Sequence, residues 1–235
     1  MPYIRTLIFY VGVGIINLGL IPGLVIALFM PLLARNRMFT LLGRVTIVWL
    51  RIMCGLTYEV TGRENIPDRN GIILCKHQSA WETFSLQLIF PEQTWVLKRI
   101  LVWIPLFGWG LAMSGAIAID RKGGTKALKQ VIEQGTDRLD KGLWVVIFPE
   151  GTRTLPGQTS KYIPGGAMLA ARSGYPVVPV AHNAGVYWPR GGWPIKPGVV
   201  RLAIGPVIES KGMKAGEINQ QASEWIEATV KEMPI

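Results

Sequence analysis

His77 and Glu82 stand five positions apart in the run Lys76-His77-Gln78-Ser79-Ala80-Trp81-Glu82, directly after the apolar residues Ile72-Ile73-Leu74-Cys75. A neutral imidazole has one accepting and one donating nitrogen, and a carboxylate on the donating side fixes the tautomer and supports the imidazolium formed on proton capture. A hydroxyl facing the other nitrogen then becomes a nucleophile. The bland reading of His77 is a turn cap at a strand end, because a His and an acid at this spacing also arise by chance. Inside one helix, a separation of five would set the two side chains about 140° apart. The pair can therefore work only across a strand-to-helix corner, with His77 just past a strand and Glu82 near the start of the next helix. The second histidine, His182, has no acid following at a useful interval and reads as structural or substrate-lining.

A second chemistry-bearing segment, Phe148-Pro149-Glu150-Gly151-Thr152-Arg153-Thr154, follows the apolar run Trp144-Val145-Val146-Ile147. Between the two lies Gly115-Ala116-Ile117-Ala118-Ile119-Asp120-Arg121, and beyond them Tyr175-Pro176-Val177-Val178-Pro179-Val180. With these four segments in this order, the chain resembles the lysophosphatidate acyltransferase family, also called the glycerolipid acyltransferases. In that family a His with an acidic residue five positions on forms the first motif, and a Phe-Pro-Glu-Gly-Thr-Arg loop the third. The resemblance covers most of the chain from about Tyr58, and the loop at 148–154 is its most specific part. Two positions depart from the commonest pattern: Glu82 stands where most members carry Asp, and Lys76 precedes the His where Asn is frequent.

The resemblance implies transfer of a fatty acyl group from acyl-CoA or acyl carrier protein to the sn-2 hydroxyl of 1-acylglycerol 3-phosphate (lysophosphatidic acid), giving phosphatidic acid. It makes His77 the general base and Glu82 its orienting partner. Arg153, Arg121 and Lys98 are then expected around the acceptor's phosphate, which suits a guanidinium fork that engages two oxygens at once. Glu150, Gly151 and Thr152 join the substrate-binding loop, Glu150 either holding glycerol hydroxyls or bracing the loop through Thr152 and Arg153. No metal or cofactor is expected, since two separated histidines and no Cys/His cluster do not make a zinc site. The rival readings are an acceptor such as lyso-ornithine lipid or glycerol 3-phosphate, or a non-enzymatic membrane lipid-binding protein. A Ser79 hydrolase lacks the Gly-x-Ser-x-Gly elbow. Cys75 as a nucleophile competes with its reading as a small buried strand residue.

The elements that must position these residues follow from the texture after Tyr58, where short apolar runs alternate with longer segments of helical period, an α/β pattern. Strands are expected at Tyr58 to Thr61, Ile72 to Cys75, Thr94 to Leu97, Ala116 to Ile119, Trp144 to Phe148, Val177 to Ala181 and Val199 to Ile204. Helices are expected at about Trp81 to Leu88, Thr125 to Asp140, Ala167 to Ser173 and Glu217 to Glu232. The family resemblance arranges them as a mixed sheet flanked by helices. At 235 residues, one catalytic domain (58–235) with an N-terminal membrane-anchoring appendage (1–57) accounts for the length.

The net charge of +10 favours anionic partners. Its placement selects membrane lipids rather than nucleic acid: before the first acid, Glu59, the charged side chains are Arg5, Arg35, Arg37, Arg44 and Arg51, and residues 6–34 carry no charge. That stretch exceeds the ~20 residues that cross a hydrocarbon core. A break at Gly19, Pro22 and Gly23 would fold it into a hairpin returning Arg5 and Arg35 to one basic, cytoplasmic side, as opposed to a straight span. The segment from Met38 to Leu56 spaces Arg37, Arg44 and Arg51 by seven, the pattern of an interfacial helix with its apolar majority buried. A cleaved signal peptide fits less well, the apolar run being longer than the usual ~7 to 15 residues. Trp103, Trp109, Trp188 and Trp193, in loops rich in Pro and Gly, are expected at headgroup level or in ordinary packing. Two cysteines far apart fit a reducing compartment, and the cytoplasmic face of a bacterial inner membrane is the expected location.

Overall fold

A computed structural model describes residues 1–19 and 21–234. Its centre is a seven-stranded sheet built from β1 (Leu56–Thr61), β2 (Ile72–Cys75), β3 (Gln93–Lys98), β4 (Ile117–Ile119), β5 (Trp144–Ile147), β6 (Val177–His182) and β7 (Gly198–Ile204). The strand order is β1-β7-β6-β2-β5-β3-β4, with every pair parallel except β6 and β7. All seven expected strands are present with ends shifted by a residue or two. The mixed sheet arises because β7 returns beside β6 in the opposite direction.

The central strands are continuous apolar runs because both of their faces are covered. Ile73, Cys75, Val146, Val178 and Val180 pack on one side with residues of α1 (Pro2–Leu18), α3 (Leu32–Cys54) and α4 (Trp81–Ile89). Their neighbours Ile72, Leu74, Val145, Ile147 and Val177 face α6 (Thr125–Asp140), α7 (Gly165–Ser173) and α9 (Ala215–Glu232) on the other. Alternation along each strand thus fills two cores at once. Each fully buried Ile or Leu of β2 is worth about 1.5 to 3 kcal/mol. Three short helices were not legible: α2 (Ile21–Ala27), α5 (Phe107–Met113) and α8 (Ala184–Tyr187).

The N-terminal helices form an antiparallel pair. The Cys54 thiol lies 3.9 Å from the carbonyl of Arg5, and Trp49 Nε1 donates to the carbonyl of Phe9 at 3.1 Å. α1 stops before Gly19, as the expected break at Gly19 to Gly23 requires, although α2 then covers residues 21–27 and Pro31 opens the returning helix. Arg5 is consequently brought beside the Arg51 end of α3 and not beside Arg35. Arg37, Arg44 and Arg51 share an exposed face as their spacing predicts, and Val45 and Ile52 are exposed beside them. The stretch Pro2–Ala27 is long and apolar enough to cross a membrane, and few of its residues are buried within the protein. The N-terminal segment also reaches the core beside the sheet: Phe9 is fully buried, and the Thr6 hydroxyl accepts from the amide of Ile195 at 2.9 Å.

Candidate active site

Five parallel strands, β6, β2, β5, β3 and β4, end at the same edge of the sheet, and ligands of open α/β sheets bind outside such carboxyl ends. His77 follows β2, the loop 148–154 follows β5, Lys98 closes β3, Arg121 follows β4, and His182 closes β6. Residues scattered over more than a hundred positions are gathered by topology alone.

The corner between β2 and α4 brings the imidazole and the carboxylate together. His77 Nδ1 lies 2.8 Å from Glu82 Oε1, and that oxygen also accepts from the amides of Gln78 at 3.1 Å and Ser79 at 2.9 Å. Glu82, fully buried, sits in the first turn of α4, where backbone amides and the helix dipole favour an anion. Burial alone pushes the Glu82 carboxyl up, but the adjacent His182 and His77 rings and the Ser79 amide outweigh it and hold the group below the ordinary carboxylate range. With Nδ1 donating to Glu82, Nε2 is left as the accepting nitrogen.

Two further contacts fix the base. Phe148 stacks on the His77 ring with centroids 4.1 Å apart and planes 15° from parallel. The backbone of His77 is gripped by the following loop: its amide donates to Glu150 Oε2 at 2.7 Å, and its carbonyl accepts from Thr154 N at 2.8 Å. Glu150 therefore braces the loop. Its carboxylate is sealed from solvent against Lys76 Nζ at 2.7 Å, the arrangement of the bracing alternative. Burial raises the Glu150 pKa against the opposing pull of Lys76. Gly151 has φ +68°, and a Cβ there would stand 2.7 Å from Cδ1 of Ile163. Only glycine takes this turn without cost.

A cavity of about 460 Å³ opens beside His77. Lys98, Arg121, Gly151, Thr152 and Arg153 line it together with Arg190, while Phe84, Trp95, Leu97, Leu101, Phe107 and Leu111 form an apolar wall. Among the described residues, none of Lys98, Arg121, Arg153 and Arg190 forms a salt bridge. Four uncompensated cations beside an apolar wall suit an amphipathic anion. A second cavity of about 300 Å³, between α1 and the loop around Gly191, shares Ala80, Phe84, Arg153 and Arg190 with the first.

The remaining candidates fall away from the chemistry. Ser79 is fully buried and its hydroxyl accepts from the Trp81 amide at 3.1 Å at the start of α4. Cys75 is fully buried, and burial pushes its thiol well above the ordinary range, the opposite of an activated nucleophile. His182 Nε2 meets the Lys76 carbonyl at 2.8 Å and Nδ1 meets Ala184 N at 3.2 Å, so both nitrogens have partners within the protein. Burial lowers its pKa accordingly. Its Nε2 lies 3.8 Å from Glu82 Oε2, an acid earlier in sequence that no forward spacing could reveal. Among the described residues, no three His, Cys, Asp or Glu side chains cluster as a metal site. Lys76, Phe148, Thr154 and Arg190 went unassigned from sequence; Phe148 and Thr154 lay within the motif loop, whereas Arg190 had no motif to mark it.

Comparisons with known proteins identify the family. A family model described as Acyltransferase matches residues 57–183. The chain is 47% identical over 212 residues to a 1-acyl-sn-glycerol-3-phosphate acyltransferase of Pseudomonas aeruginosa, covering 88% of this chain and 82% of that protein. A protein of the same name from Saccharomyces cerevisiae is 34% identical, over 56% of this chain and 44% of its own length. The crystal structure of the 1-acyl-sn-glycerophosphate (LPA) acyltransferase PlsC from Thermotoga maritima superposes with a TM-score of 0.79 at 26% identity, over 99% of this chain and 97% of that one. The paired imidazole and carboxylate, the cationic cavity at the strand ends and this match over more than half of the sequence together establish that the chain belongs to the acyltransferase family and is an enzyme.

Proposed function

We propose that this enzyme transfers a fatty acyl group from acyl-CoA or acyl carrier protein to the sn-2 hydroxyl of 1-acylglycerol 3-phosphate, forming phosphatidic acid. The observation that carries the reading is a single cavity lined by a base oriented through Glu82, by four unpaired cations and by an apolar wall. The phosphate meets Arg153, Arg121, Lys98 and Arg190, and acyl chains lie along Phe84, Leu101, Phe107 and Leu111. The substrate in the names of the relatives supports the same acceptor.

The acceptor hydroxyl donates to Nε2 of His77 and loses its proton as its oxygen attacks the thioester carbonyl. The tetrahedral intermediate collapses by breaking the carbon–sulfur bond, and the imidazolium returns the proton to the departing thiolate. Glu82 keeps Nδ1 protonated and stabilises the transient cation throughout. No acyl-enzyme forms, and these steps draw on no metal or cofactor. Base catalysis supplies about 10² to 10⁴ of the rate, so positioning of the two substrates must supply much of the rest. The N-terminal helices and their arginines hold the enzyme at the cytoplasmic face of a membrane, where a water-borne thioester and a lipid acceptor meet.

A panel of acceptors assayed with one acyl-CoA tests the reading. Lysophosphatidic acid is expected to be acylated fastest, ahead of glycerol 3-phosphate, lyso-ornithine lipid and unphosphorylated monoacylglycerol. Faster turnover of monoacylglycerol would remove the phosphate role and the proposed acceptor with it.

A further inference from the structure

Lys76 precedes the base by one residue, and alternation along the strand sends its side chain to the opposite side of the sheet. There it is fully buried, a rare situation for lysine outside a charge cluster. Its ammonium lies 2.7 Å from Glu150 Oε1, 2.7 Å from Glu227 Oε1 on α9, and 3.3 Å from the carbonyl of Gln158. Three donors thus meet three acceptors, and Tyr162 donates its hydroxyl to the same Glu227 oxygen at 2.8 Å. The backbone of Lys76 is held as firmly: its amide donates to Val180 at 2.9 Å and its carbonyl accepts from His182.

Glu150 is the shared member between this cluster and the site. One of its oxygens faces Lys76 and the other accepts the His77 amide, while Thr154, four residues on, holds the His77 carbonyl. Arg153 lies between these two anchors. The base and the loop arginine therefore form one mechanical unit, and the attachment of that unit to the helical layer behind the sheet runs through the Lys76 ammonium. An Asn at position 76, frequent in the family that the sequence resembles, is too short to reach across to α9.

We infer that Lys76 is a positioning residue for acyl transfer: by clamping the loop of Glu150 and Arg153 to Glu227 of α9, it sets the separation between His77 and the group that grips the acceptor's anionic end. The inference rests on the proposed acceptor only for its kinetic readout. The apolar wall for the acyl chain, built from α4, β3, α5 and the turn that carries Leu101, takes no part in the cluster.

Lys76→Met leaves two carboxylates without their counter-ion, so its stability falls as well as its activity. Lys76→Met/Glu150→Gln removes one charge of each sign, leaves only Glu227 without its counter-ion and keeps an oxygen for the His77 amide, which restores part of the stability without restoring the tie to α9. Both variants are compared with wild type by thermal melting, by steady-state kinetics with lysophosphatidic acid and acyl-CoA, and by hydrogen exchange of the amides of residues 148–155. The expected result is a thermal midpoint that drops in the single variant and recovers in part in the double. The acceptor KM stays raised by about tenfold in both, the donor KM stays within about twofold of wild type, and loop exchange is faster in both. An acceptor KM or loop exchange that returns to the wild-type value as stability recovers overturns the inference. If wild type acylates no lysophosphatidic acid, the acceptor assignment fails, while the exchange comparison still decides the role of Lys76.

Discussion

His77 Nδ1 and Glu82 Oε1 are 2.8 Å apart, and the carboxylate that meets the ring is the same one that collects the amides of Gln78 and Ser79 at the start of α4. A glutamate in place of the family's usual aspartate reaches the ring because the helix begins only one residue before it. The anion is stabilised by the helix end and then spends that stability on keeping the imidazole in one tautomer. Glu82→Gln keeps a side-chain oxygen for the backbone amides but removes the charge. The turnover number is expected to fall by about 10² to 10⁴, with little change in either KM, in steady-state assays with purified enzyme.

The same carboxylate has a signature in acid. Its pKa is lowered in the folded state, since the imidazoles and amides around it outweigh its burial. A carboxyl with a depressed folded pKa contributes stability that is fully present above its unfolded value and is lost as the pH falls through the folded one. The difference in thermal midpoint between wild type and Glu82→Gln should therefore be largest at neutral pH and shrink as the pH drops below the ordinary carboxylate range. A difference that grows with acidification would contradict the assignment.

Arg153 and Arg190 line both cavities and have no acidic partner among the described residues. A charge-assisted bond to phosphate nets about 1.5 to 3 kcal/mol, so Arg153→Ala should raise the KM for the phosphorylated acceptor roughly ten- to hundredfold. Arg190→Ala should act in the same direction, although no motif marks it. Neither should change the KM for a monoacylglycerol, and initial-rate measurements on the two acceptors separate the effects.

Gly151→Ala tests the loop itself. The residue would have to hold φ +68° and stand 2.7 Å from Ile163. The left-handed backbone alone costs about 1 to 2 kcal/mol, and the clash adds to it. A lower thermal midpoint accompanied by weaker acceptor binding is the expected outcome of differential scanning calorimetry and kinetics.

The strands were legible because their apolar runs are short, bounded by Gly, Pro and charged residues, and covered on both faces. Ile72 to Cys75 and Thr125 to Asp140 are recovered to the residue. The helix α5 was hidden in Phe107 to Met113, where two glycines and an exposed tryptophan blur the helical period and packing against α2 and α3 substitutes for propensity. Within the site, His77, Glu82 and the loop glycine follow from local spacing, since each depends on neighbours within about five positions. The ties that complete it, Lys76 to Glu227 across 151 positions and His182 to Glu82 across the sheet, join residues that no local pattern connects. Glu150 shows the same limit: its motif marks it as important, but only the fold shows that it faces Lys76 and not the cavity.

The most direct test is His77→Ala, assayed for acyl transfer from acyl-CoA to lysophosphatidic acid at saturating concentrations of both, with circular dichroism and membrane association measured alongside. Turnover reduced by about 10² to 10⁴ in a protein that still folds and still sediments with membranes is the predicted result. Turnover within a few fold of wild type would show that some other group takes the hydroxyl proton.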